Sequence, residues 1–97
     1  MSVVVIVQGN LRAGKEDALD RYRKVAQPVI AKHGGQVIAR GSGVGRLHGS
    51  RTWKVGIVVR FPDAASAAAW HDDPEYQQVL PLRGEAYEDI EINTFQE

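Results

Sequence analysis

Five β-branched residues in a row, Val3 to Val7 (VVVIV), place the strongest constraint on this chain. Successive side chains of a strand point to opposite faces, so a run that is apolar at every position needs cover on both. Such a segment belongs in the middle of a sheet. It is too short for a signal peptide or a membrane span, and no positive charge precedes it. Thr52–Phe61 reads as a second strand of this kind. Trp53, Val55, Ile57, Val59 and Phe61 fall on one face, and Lys54, Gly56, Val58 and Arg60 on the other.

The segments between and after these strands have other periods. From Lys15 to His33, the residues Ala18, Tyr22, Val25, Ala26, Val29 and Ile30 recur at helical spacing, with charges on the opposite side. Pro28 is expected to kink that helix, and Gly34-Gly35 to stop it. Gln36–Gly41 reads as a short, more polar strand, and SGVGRLHGSR after it as a turn-rich connection. Pro62-Asp63 opens an alanine-rich helix. In WHDDPEYQQVLPLR (residues 70–83), Asp73 can cap a new helical start with Pro74 at its first position, where a missing amide donor is harmless. Tyr76, Val79, Leu80 and Arg83 then share one side, and Pro81 is expected to end or bend the turn. Asp89–Phe95 alternates, with Ile90 and Ile92 opposite Glu91, Asn93 and Phe95.

The order βαββαβ predicts an α+β, ferredoxin-like antiparallel sheet, with the first and third strands central and both helices on one face. The whole chain, 1–97, reads as one domain. Its other sheet face would carry Val58 and apolar residues of the first strand beside Arg40, Lys54, Arg60, Glu91 and Asn93. Such a face is an association surface. A homodimer with a chamber between two sheets, a dimeric α/β barrel, is therefore expected.

Twelve basic and twelve acidic residues cancel, which leaves no global field for a polyanion and argues against nucleic acid as the main partner. There is no cysteine, so disulfides, thiol catalysis and Cys-ligated zinc are excluded. A cytoplasmic protein that does not engage membranes is expected.

Tyr22, Pro28, His33-Gly34-Gly35, Ala39-Arg40-Gly41, Phe61-Pro62, Ala68, Trp70, Pro74-Glu75-Tyr76 and Leu82-Arg83, in that order, resemble the DUF1330 family of the dimeric α/β-barrel (ferredoxin-like) superfamily. The resemblance spans nearly the whole chain. It implies the dimer and its barrel-like interior, but no reaction. Better-known members of the superfamily include cofactor-free monooxygenases, chlorite-dismutase-like haem proteins and muconolactone-isomerase-like enzymes. Where the family pattern tends to place an acid before a glycine after the second strand, this chain has His48-Gly49.

The candidate chemistry is sparse. Arg83, on an otherwise apolar side, could clamp a carboxylate through its planar fork, or pair with Glu85, Glu88 or a helix-end carbonyl. Arg40 and Arg60 would face the chamber and either hold an anion or meet Glu91. Trp70, Tyr76 and Tyr22 could line a pocket for an apolar ligand body or simply pack the core. His48 and His33 are the candidate general bases, with His71 a third. His33 also suits a helix C-terminus without any catalysis. His71-Asp72-Asp73 does not converge as metal ligands do, and Gly41–Arg46 lacks the helix that would complete a phosphate loop. No metal, haem or redox cofactor is expected. The leading expectation is a small organic acid bound between the sheets, with cofactor-independent isomerase, lyase or oxygenase chemistry. The alternative is a non-enzymatic dimeric binding or stress-associated module.

Overall fold

The computed structural model describes every residue, Met1–Glu97. The elements in chain order are β1 (Val3–Leu11), α1 (Glu16–Lys32), β2 (Gln36–Ser42), β3 (Val55–Phe61), α2 (Ala64–Asp72), α3 (Pro74–Gln77), α4 (Leu80–Ala86) and β4 (Tyr87–Gln96). The four strands form one antiparallel sheet in the order β2-β3-β1-β4, so the two apolar strands are central. This is the ferredoxin-like α+β fold. No helix is long and apolar enough to cross a membrane.

Alternation decides which side chains are buried. Val3, Val5 and Val7 of β1 and Val59 and Phe61 of β3 point under the helices and are buried. Around them pack Tyr22 and Val29 of α1, Trp70 of α2, Tyr76 of α3 and Val79. Phe61 stacks on Trp70 at 5.8 Å between ring centroids, and Trp70 lies 4.9 Å from Tyr76. On the other side of the sheet the register sets Val4 beside Phe95 and Arg60, and Ile6 beside Asn93 and Val58. No element of the chain crosses that side, and Phe95 is half exposed there.

The helix boundaries follow local chemistry. α1 continues through Pro28 to Lys32. It closes when the Gly34 amide donates to the Ala31 carbonyl and the Gly35 amide to the Ile30 carbonyl, the Schellman pattern. Gly34 takes φ +79, a conformation that a side chain would resist. Asp63 caps α2 by accepting from the Ser66 amide, and Asp73 caps α3 by accepting from the Glu75 amide with Pro74 behind it. Pro81 does not end a helix. It occupies the first turn of α4, where its missing donor costs nothing.

Two departures from the sequence pattern matter for function. β3 begins at Val55, so Trp53 and Lys54 belong to the hairpin arm 43–54 rather than to the sheet. β2 carries an irregularity. Val37 pairs with Val59 and Ala39 with Val58, which leaves Ile38 without a partner. One inserted residue reverses the facing of every side chain beyond it. Arg40 consequently pairs with Ile57 and lies on the helix side, not on the face expected for a chamber between sheets. Arg60 does lie on the outer face, where it meets Glu97 through two hydrogen bonds of 2.7 and 2.9 Å rather than Glu91.

Candidate functional site

A cleft opens between α1 and the sheet. Its outer end carries Arg23, Gln27 and Arg40, and its inner end Tyr22, Trp70 and Tyr87, with Val7, Ile30, Ile57 and Ile92 among the apolar residues between. It encloses about 50 Å³, room for a group the size of one or two waters. The helical spacing of Arg23, Ala26, Gln27 and Ile30 puts one side of α1 along it, and the β2 irregularity delivers Arg40 to it. Neither arginine forms an ion pair. The wall holds no carboxylate.

The inner end is rich in polar tips on buried rings. The Trp70 residue is 3% exposed, and its indole nitrogen is the one buried side-chain polar atom without a hydrogen-bond partner. The Tyr22 hydroxyl lies 2.8 Å from that of Tyr76. Burial, reinforced by Tyr76, raises the Tyr22 pKa far above its ordinary value, so its hydroxyl stays neutral. Burial also raises the Tyr87 pKa, opposed by the nearby Arg23 and Arg40 charges.

Arg83 stands behind this end. Its guanidinium donates to the Tyr76 hydroxyl at 3.0 Å and lies 3.3 Å from Nε2 of His71. A guanidinium only donates, so Nε2 of His71 is the acceptor and the neutral ring carries its proton on Nδ1. Burial, and next the Arg83 charge, lower the His71 pKa and favour that neutral form. Arg83 therefore pairs with neither Glu85, Glu88 nor another acid. Tyr76 is fully buried, and neither it nor Arg83 reaches the cleft wall.

The two expected bases sit at opposite ends of β2. His33 caps α1, and its Nε2 lies 2.8 Å from Oδ2 of Asp73, which also receives Lys32 at 2.9 Å. These bonds, with the Glu75 amide, hold the Asp73 carboxyl well below the usual range. Asp73 thus ties the end of α1 to the start of α3. His48 lies in the hairpin arm, on a shallow basin of about 600 Å³ with Gln8, Arg46, Arg51 and Trp53. The Arg51 guanidinium there lies over the Trp53 ring at 4.7 Å and reaches Asp89 at 3.1 Å. Neither histidine touches the cleft. The structure thus gathers Tyr22, Trp70 and Arg40, sets Tyr76 and Arg83 one layer behind, and leaves His33 and His48 apart. Sequence reasoning overlooked Arg23 and Tyr87. The spacing of Arg23 ahead of Ala26 and Ile30 was a usable signal, whereas nothing local marks Tyr87.

Comparison with known proteins agrees on fold. The family model described as Domain of unknown function (DUF1330) matches residues 5–92. RPA0582, a protein of unknown function from Rhodopseudomonas palustris, is 21% identical, with a TM-score of 0.86 over 99% of this chain and 82% of its own. A dimeric protein of unknown function and ferredoxin-like fold from Bacteroides fragilis is 17% identical, with a TM-score of 0.68 over 99% and 96%. A dimeric ferredoxin-like protein of unknown function from Jannaschia is 14% identical, with a TM-score of 0.73 over the full length of both chains. No curated protein matches the sequence.

Proposed function

The chain belongs to the DUF1330 family, and from that membership and the cleft under α1 we propose that it is a homodimer that binds a small organic acid. The ligand lies between helix and sheet rather than between two sheets. Two cations without acidic partners, Arg23 and Arg40, at the mouth of an otherwise apolar cleft carry this reading. Guanidinium groups without acidic partners beside apolar walls favour a planar carboxylate over water, because the paired donors match its two oxygens. The apolar body of the ligand packs between Ile30 and Ile57.

The dimer reading rests on the outer sheet face, where Val4, Ile6, Val58 and Phe95 form an apolar patch that nothing in the chain covers. The dimeric state of the Bacteroides and Jannaschia proteins supports it. With a second copy on that face, the helix side remains the one accessible to ligand. Binding without turnover fits the separation of His33 and His48 from the cleft.

A thermal-shift titration with short aliphatic and aromatic acids tests the proposal. A ligand at a hundred times its Kd stabilises by about 2.7 kcal/mol, several degrees for a domain of this size. Arg40→Ala and Arg23→Ala should each reduce the shift while melting like wild type without ligand. Absence of a shift with every acid, or an unaltered shift in both variants, defeats the proposal.

A further inference from the structure

The inner end of the cleft says more about the ligand than the arginines do. Two hydroxyl protons, those of Tyr22 and Tyr76, share one hydrogen bond between two oxygens 2.8 Å apart. Arg83 already donates to the Tyr76 oxygen, which makes Tyr76 the stronger donor and the poorer acceptor of the pair. Tyr76 is fully buried and its hydroxyl has no partners but Tyr22 and Arg83, an arrangement that favours donation of its proton to Tyr22. The Tyr22 proton is then left over, on a residue that lines the cleft. Trp70 lines the same end, and its indole N–H, a group that can only donate, has no partner. Buried donors left unsatisfied are rare and costly. Two such donors on residues that line one cleft make a recognition element for an acceptor.

A carboxylate alone does not answer this arrangement, because the cations that suit it stand at the exposed mouth and the neutral donors stand at the buried end. We infer that the ligand is an oxo acid, whose carboxylate meets Arg23 and Arg40 while a separate carbonyl oxygen enters the inner end and accepts from Tyr22 and Trp70. This rests on the acid-binding reading above and narrows it to a substrate class. The enclosed space of about 50 Å³ suits a terminal acetyl or formyl group. Arg83 acts through Tyr76 as a positioning residue, since it sets which way the tyrosine protons point.

Calorimetric titration of the wild-type protein with three matched probes tests the inference: levulinate, valerate (the same chain without the carbonyl) and methyl propyl ketone (the carbonyl without the acid). Levulinate should bind about tenfold more tightly than valerate, the value of one buried hydrogen bond. Tyr22→Phe, which keeps the ring, should collapse that ratio toward one, and Trp70→Phe should narrow it. Arg40→Ala should weaken levulinate and valerate alike and leave their ratio intact. Arg83→Met should narrow the ratio without changing valerate affinity, which a merely structural arginine would not do. Equal binding of levulinate and valerate overturns the carbonyl site and leaves the acid reading standing. Binding of the ketone but of neither acid does the reverse. Binding of none of the three overturns both.

Discussion

The two faces of this sheet are built from the same strands, yet only one is finished. Under the helices, Val3, Val5, Val7, Val59 and Phe61 meet rings of Tyr22, Trp70 and Tyr76, and all of these side chains are buried. On the far side, Val4, Ile6 and Val58 lie in an apolar patch edged by Arg60 and Glu97 and carry no covering element. Alternation supplies apolar side chains to both faces, but only the chain's own helices can complete one of them. In the proposed reading the contrast divides the work: the closed face would hold the ligand in the cleft under α1, and the open one would take a second copy.

The largest effect should come from the closed face. Phe61→Ala removes a fully buried ring and should cost about 3–5 kcal/mol in denaturant unfolding. Gly9→Ala comes next. A methyl group there would stand 2.6 Å from the Tyr87 ring, and the crowding should cost about 1–3 kcal/mol. Wild-type-like stability in either variant would mean that this face is looser than drawn.

Acid should test the seam between α1 and α3. The Asp73 carboxyl binds its proton less readily when folded than when unfolded, so its contribution is present near neutrality and fades as pH falls below about 4. Asp73→Asn should therefore melt below wild type at pH 7, and the two curves should converge in acid. A gap that persists in acid would assign the loss to packing rather than to charge. The smallest change is expected at the open face. Phe95→Ala should alter stability by no more than about 0.5 kcal/mol in dilute protein, because the side chain is half exposed. At higher concentration its melting temperature should fall behind wild type if the proposed dimer forms through this face. Ile6→Asp should leave the chain monomeric in sedimentation, and a dimer that survives it would move the interface elsewhere.

Much of the fold was readable in the sequence because periodicity and punctuation are local. VVVIV predicted a central strand, Asp73-Pro74 a helical start, and Gly34-Gly35 a left-handed stop, and the chain adopts all three. The site was readable only in part. Arg40 turned out on the helix side because Ile38 drops out of register, and Ile38-Ala39 carries no mark of such an irregularity: the step is decided by how the edge strand fits its neighbour. Asp73 was legible as a cap but not as the partner of Lys32 and His33, about forty residues earlier, since nothing in its neighbourhood encodes that meeting. Tyr87 was missed for a similar reason, lying at the very start of β4 where alternation has not yet begun.

The unpaired Ile38 has a further consequence. β2 is the outermost strand on its edge, exposed along its whole length, with backbone groups that another extended chain could grip. Joining such an edge requires donors and acceptors at regular intervals, and the interrupted spacing denies a newcomer more than a few consecutive bonds. The same small irregularity that turns Arg40 inward thus shortens the run of regular edge that could template the addition of another strand.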